Sequence, residues 1–516
     1  MSKRARIIGG VVFAVLVAAV IGLIYSARTL EPRLHEWVRA TLSESLESEV
    51  ELGAVHLNWV PLRLHATGLT VRHHGRTDIP PLLVVSSFTV ELRPTDLWSS
   101  TVDRVWVDGL EVSIPPKDPE TGKRPLPRPN GDESNGGGST GLVIRHLMAT
   151  NGRLSIIPRE EGKNAKVWDI FELNLRNLRG DEAATFTAAL INPIPYGKID
   201  AKGTFGPWRS DEPGTSAIGG DYTFAADLGT IDGLGGQLDA AGTMSGTIEQ
   251  IATTGTTHTP DFRLTELKGD ALPLATTYDA VVDGTKGDVE LNSVDVTLGS
   301  STFNARGVVE GTRGTKGKRV VVNVKSNSAS LSELLRFVSK TSKPVANGTL
   351  IIDAALDLPQ GKAPILDRLA LEGSVRAERV QFTNDAVQDK IDELSRRAQG
   401  RPGDQTIDDV ASRMAATFAL NKGVFTYDGL SFRVKGADIR LAGTHSLRSK
   451  QLSLSGVALL NASASQTQTG FKSLLLKPFD PLFRKGGAGT RLVIKVDGTQ
   501  DQPKVGLDFG KTLKGK

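Results

Sequence analysis

Residues that ligate metals stand close together in RHHGRTD, where His73 and His74 precede Asp78. Two imidazoles and a carboxylate would suit a transition-metal ion. Adjacent strand residues point to opposite faces, so both rings could reach one ion only in a distorted loop, and an exposed turn is the simpler reading. Gly131 and Gly136 have the spacing of a phosphate-cradling loop. Gly137, however, stands where that motif needs lysine, and no strand leads in. The other histidines are scattered, and the sequence holds no HExxH, no GxSxG and no GxGxxG opening a helix after a strand. Asp and Glu mostly alternate with apolar strand residues or sit in turns, where solvation explains them. The sequence therefore offers no catalytic residue, no metal ligand and no cofactor site, and an enzyme is not the expected class.

What remains is patterning. The chain has 516 residues, 39% of them hydrophobic, with 55 glycines, no cysteine and only 5% aromatics. That balance suits many short strands and turns better than a bundle of large apolar helices. Without cysteine there are no disulfides and no thiolate metal sites, which is compatible with an oxidising compartment. The net charge of +4 is small for this length and the two signs are interspersed. A basic stripe with interleaved aromatics, the footprint of a nucleic-acid partner, is missing, so no nucleic acid is expected.

The N-terminus carries the strongest single signal. After Lys3, Arg4 and Arg6 comes IIGGVVFAVLVAAVIGLIY, Ile7 to Tyr25, without a charge. At 1.5 Å per residue it is long enough to cross a hydrocarbon core of roughly 30 Å. It exceeds the apolar region of a signal peptide, and Tyr25 occupies a site where cleavage before Arg28 would want a small residue. The expectation is an uncleaved single-pass anchor over 7–26, with the tail 1–6 cytoplasmic by the excess of preceding cations and the bulk of the chain on the far side. An amphipathic helix is expected next over 29–49, with Leu34, Trp37, Val38, Leu42 and Leu46 on one stripe and Pro32 in its first turn.

From Val50 the period becomes two. Val55, Leu57 and Trp59 share a face, whereas beyond Pro61 the apolar set is Leu62, Leu64 and Ala66. A shift of one residue moves every side chain to the other face, so the chain must bulge or turn near Val60 and Pro61 to keep one face apolar. A β meander is expected over 50–114. The Pro- and Gly-rich stretch 115–141 reads as a flexible loop. A central β region follows over 142–383, then a helix pair over 384–420 with Asn384 and Thr406 as caps, then a β region over 421–516.

A weak repeat runs through the β regions. LINPIPYGKIDAKGT from Leu190, VDVTLGSSTFNARGV from Val294 and LSFRVKGADIRLAGT from Leu430 align without gaps, bringing Gly203, Gly307 and Gly443 into register. Each reads as an antiparallel hairpin, or as chance similarity among amphipathic hairpins, and repeated hairpins stack into an extended sheet. GFKSLLLKPFDPLFRK carries Phe471, Leu474, Leu475, Phe479 and Phe483 between cations; it reads as a segment at a lipid interface or as a buried turn between strands.

The order of these features resembles the AsmA family of Gram-negative inner-membrane proteins with large periplasmic β domains, relatives of the TamB-like and bridge-like lipid transfer group. The resemblance is carried by the anchor with VELGAVHLNWVPLRLHATGLTVRHHG and by NKGVFTYDGLSFRVKGADIRLAGTHSLRSKQLSLSG after the helix pair. The terminal IKVDGTQDQPKVGLDF adds to it. It implies an elongated, curled antiparallel sheet forming a groove, apolar inside, with a few short helices, that carries phospholipid or another envelope lipid from the inner membrane or supports outer-membrane assembly. The chain is short for a groove crossing the periplasm alone. Candidate lining residues are Val55, Leu57, Trp59, Leu62, Leu64, Ile439 and Leu441. The rival expectation is an anchored structural or assembly factor whose β face is a dry core, with envelope proteins as its partners.

Overall fold

The computed structural model describes residues 35–36, 39–40, 43, 49–59, 61–72, 80–91, 93, 101–114, 143–156, 166–179, 182–207, 213–265, 267, 269–284, 287–311, 317–338, 346–463, 465–467, 489–499 and 502–507. The expected anchor, the flexible loop 115–141, the His73, His74 and Asp78 turn and the Phe471 to Phe483 segment lie outside them. So do the apolar stripe residues of the expected first helix, although His35, Glu36, Arg39, Ala40 and Ser43 are helical. No helix among the described residues is long and apolar enough to cross a membrane.

The described chain is mainly β and divides into two packed units. The first takes residues up to Ile231, with Gln237–Thr257 and Asp279–Asp288; the second takes Asp232–Gly236, His258–Tyr278 and Val289 onward. The division falls inside the region 142–383 that the sequence reads as one block.

In the first unit the strands are β1 (Val50–Glu51), β2 (Val55–Trp59), β3 (Leu62–Val71), β4 (Leu83–Glu91), β5 (Thr101–Ile114), β6 (Val143–Ile156) and β7 (Lys166–Leu178). They continue with β8 (Ala184–Pro193), β9 (Tyr196–Phe205), β10 (Ala217–Asp227), the two-residue β11 (Leu234–Gly235) of the second unit, and β12 (Gln237–Thr247). β2 and β3 form a tight hairpin, with Val55 opposite Ala66, Leu57 opposite Leu64 and Trp59 opposite Leu62. This accounts for the change of phase at Pro61. Residues that pair across a hairpin share a face, so odd positions before the turn match even positions after it. The sheet is antiparallel as expected except that β5 and β6 pair in parallel. A parallel pair needs a long connection, and 28 residues separate Ile114 from Val143 in the sequence. The remaining neighbours, β6 to β10 and β10 to β12, are antiparallel.

β13 (Gln250–Leu264) and β14 (Leu272–Val282) contribute residues to both units. The second unit then runs as β15 (Val289–Leu298), β16 (Ser301–Glu310), β17 (Arg319–Ser330), β18 (Ala346–Leu358), β19 (Ala370–Phe382) and β20 (Ser412–Asn421). β21 (Val424–Val434), β22 (Ala437–Ser446), β23 (Gln451–Leu460), β24 (Thr490–Thr499) and β25 (Gln502–Leu507) complete it. From β15 to β25 each strand pairs antiparallel with the next. All three repeat segments are hairpins, β8/β9, β15/β16 and β21/β22. At the shared glycine a Cβ would stand 1.9 Å from Gly219 O at Gly203, 2.1 Å from Val321 O at Gly307 and 2.1 Å from Ser453 O at Gly443. The repeat thus marks places where a neighbouring backbone crosses too closely for any side chain.

Helices α1 (Leu331–Val338), α2 (Ile365–Arg368) and α3 (Asp385–Ala398) interrupt the second unit. α1 and α3 both follow strand ends on the same side of the sheet, after Ser330 and Phe382. Leu331 and Leu334 of α1 pack on a core of Ala329, Ala346, Leu350, Ala377 and Val380, while Phe337 is buried and stacks on Phe262 at 5.8 Å. Ala398 of α3 packs with Val434 and Ala437. Asn384 caps α3 as expected, its side chain accepting from Val387 N. The second helix of the expected pair does not form, since Ser412–Asn421 is strand β20. Asp392 of α3 takes the N–H groups of Asp409 and Val410 at 3.1 and 2.9 Å, and β19 and β21 claim the backbone on either side. Met414, Ala416, Phe418 and Leu420 also satisfy a period of two, and ladder bonds to both neighbours outweigh the helix propensity of the alanines.

Candidate functional site

Pairing registers decide which side chains share a face. In the second unit one continuous cross-strand row reads Val294, Ala305, Val324, Ala354, Gly373, Phe418, Tyr427, Gly443, Leu454 and Val496. At about 4.8 Å per strand it extends for about 43 Å of sheet. A parallel row reads Leu291, Gly307, Val322, Leu356, Leu371, Leu420, Phe425, His445 and Leu452. Most of these residues are partly exposed rather than buried. The opposite face pairs Arg306, Asn323, Ala355, Glu372, Ala419, Thr426, Thr444 and Ser453, and carries ion pairs such as Lys325 to Asp353 and Arg319 to Asp357. The sheet is thus polar on one side and apolar but incompletely covered on the other.

Bulges keep that face in phase. Between Tyr427 and Leu430 the strand β21 gains a residue relative to β22, and the apolar set passes from odd to even positions. Leu430 thereby pairs with Leu441, and Phe432 with Ile439. Phe418, Phe425, Tyr427 and His445 form an aromatic group on the same face, with Phe425 stacked 5.8 Å from Tyr427 and 6.5 Å from His445. Burial there pushes the Tyr427 hydroxyl above its ordinary pKa. His445 Nε2 is buried without a hydrogen-bond partner, a polar interruption of an apolar surface.

The first unit has an equivalent row that changes character along its length: Ala66, Phe88, Val107, Ala149, Leu173, Ala188, Ala201, Tyr222 and Gly242. The first four are buried, and from Leu173 onward the row is partly exposed. The face is dry over β3 to β6 and accessible over β7 to β12.

The sequence-derived lining residues therefore fall into two sets. Val55 and Leu62 are partly exposed in the β2/β3 hairpin, while Leu64, at 1% exposure, is packed into the dry end. The side chains of Leu57 and Trp59 lie outside the described set. Ile439 and Leu441 belong to the second unit and sit on its partly exposed apolar face. Phe418, Phe425 and Tyr427, and in the first unit Leu173 and Ala201, were not among the expected lining. Their alternation is visible in sequence, but only the register shows that they join one row. No group of three or more metal-ligating side chains with suitable geometry occurs among the described residues.

Comparison with known proteins finds no significant match to a family profile, a curated protein or a solved structure.

Proposed function

We propose that this chain binds or conducts envelope lipids along its apolar sheet face, anchored in an inner membrane through Ile7 to Tyr25 with its bulk in the periplasm. The observation that carries this reading is the unbroken apolar row from Val294 to Val496, left partly exposed across the second unit. Acyl chains lie on that face while headgroups remain in water, and no covalent step is needed. Each methylene removed from water contributes about 0.8 kcal/mol, so a plain hydrocarbon surface suffices to hold a chain. The likeness in feature order to AsmA-like proteins supports the same reading, with phospholipid as cargo and outer-membrane lipid homeostasis or assembly as the role.

The rival, an anchored structural or assembly factor with a dry core, draws support from β3 to β6, where Leu64, Phe88 and Val105 are fully packed. Native mass spectrometry and lipid extraction of the gently purified full chain separate the two. Co-purifying phospholipid that is lost in Leu441→Glu, with folding retained, is the expected result. Lipid-free protein in repeated preparations overturns the lipid reading in favour of the rival.

A further inference from the structure

The polar face of the first unit carries a charge pattern that the apolar face does not explain. One cross-strand row there reads Arg63, Glu91, Arg104, His146 and Arg176 on β3 to β7. Its first member is satisfied: Arg63 pairs with Glu91 at 2.6 Å and lies over the Trp106 ring at 5.7 Å. The other three basic residues are not. Arg104 has only Asp103, at 3.9 Å, and that carboxylate is engaged more closely by Arg93 at 2.9 Å and Arg145 at 3.5 Å. Arg176 has no acidic partner among the described residues, and its next neighbour in the row is Thr185. His146, between the two arginines, has its Nε2 buried with no hydrogen-bond partner.

A buried ring nitrogen without a partner costs stability, and two arginines without a close carboxylate stand on the strands either side of it. A single bound oxyanion would give the ring nitrogen and the two guanidinium groups a common partner. Strands lie about 4.8 Å apart, so β5 and β7 each flank His146 at about that spacing and lie roughly twice as far from one another, within reach of two long side chains converging above the ring. We propose that Arg104, His146 and Arg176 form a phosphate-binding site. The guanidinium groups supply paired N–H donors and Nε2–H of His146 donates a further hydrogen bond, the arrangement that tetrahedral oxyanions favour. The same chemistry is presented by free phosphate and by the phosphate of an anionic lipid headgroup.

Two arms distinguish these sources in the purified full chain. In one, inorganic phosphate is titrated at constant ionic strength against chloride; in the other, vesicles of phosphatidylglycerol are compared with vesicles of phosphatidylcholine. Binding in the first arm alone identifies free phosphate, and selective binding in the second identifies the headgroup. In whichever arm responds, Arg176→Gln and Arg104→Gln each weaken binding about tenfold, the loss of one charge-assisted contact, and His146→Asn weakens it less. Arg176 is solvent-exposed, so its replacement leaves the fold intact and decides the matter if Arg104→Gln unfolds. Silence in both arms overturns the proposal, as does wild-type affinity in Arg176→Gln.

Discussion

The carbonyl oxygen of Ser453 lies 2.1 Å from where a Cβ on Gly443 would stand, and Gly443 itself has φ +145. Two independent constraints, a left-handed backbone and a crossing strand, thus fall on one residue in the middle of β22. Replacement by alanine must move backbone against backbone and is expected to cost about 1–3 kcal/mol. Gly429→Ala is the matched control, since nothing lies within 4 Å of a Cβ there and its φ is not positive. Urea denaturation of both variants checks the contrast; equal midpoints would remove the close approach as the reason for the repeat's glycine.

The apolar faces of the two units differ in kind at Leu64 and Leu441, and leucine truncations should separate them. Leu64 pairs with Val90, is opposite Leu57 and is almost wholly buried, so Leu64→Ala removes packed methylenes and is expected to cost about 2–5 kcal/mol. Leu441 pairs with Leu430 and Gly456 on a face that stays partly exposed, so Leu441→Ala should cost clearly less. The check is chemical denaturation of each variant. A larger loss at Leu441 would mean that its face is covered in solution.

Much of this architecture is legible in the sequence because a period of two runs through most of the strands between their bulges. The phase change at Pro61 and the three hairpins of the repeat are local, and each is fixed by residues within a few positions of the turn. What escaped is non-local. Apolar alternation in TIDDVASRMAATFAL is compatible with a helix until β19 and β21 supply ladders on both sides of it. Nothing in the order of residues says that β5 and β6 run parallel. The site shows the same divide: Leu64 and Leu441 look alike in sequence, and only their neighbours make one a core residue and the other a surface.

Asp392 gives a test of that non-local control. Its buried carboxylate accepts from Gln388 Nε2 at 3.0 Å and from the N–H groups of Asp409 and Val410, tying α3 to the approach to β20. Asp392→Ala leaves the N–H groups of Asp409 and Val410 without acceptors, at about 1–3 kcal/mol for each that water does not reach, while Gln388 Nε2 keeps the carbonyl of Val410 at 3.2 Å. Hydrogen exchange should accelerate first at Asp409 and Val410, before the strands of the sheet. Unchanged protection at those two amides would show that the carboxylate does not hold them.

Asp438 supplies the acid dependence. A hydrogen bond from Arg440, 2.8 Å away, and the nearby charge of Arg433 at 3.5 Å hold its carboxyl below the ordinary aspartate range. A carboxyl depressed on folding stabilises the protein fully above its unfolded value, near 3.9, and that contribution is lost as pH falls through the lower folded value. Asp438→Asn should therefore be less stable than the wild type at pH 6, with the difference closing as pH falls below about 4. Because both arginines are largely exposed, the difference is small and should shrink in high salt. Urea midpoints of the two proteins at pH 6 and in acid, at low and high ionic strength, check it; a gap that stays constant with pH would assign the loss to packing instead of charge.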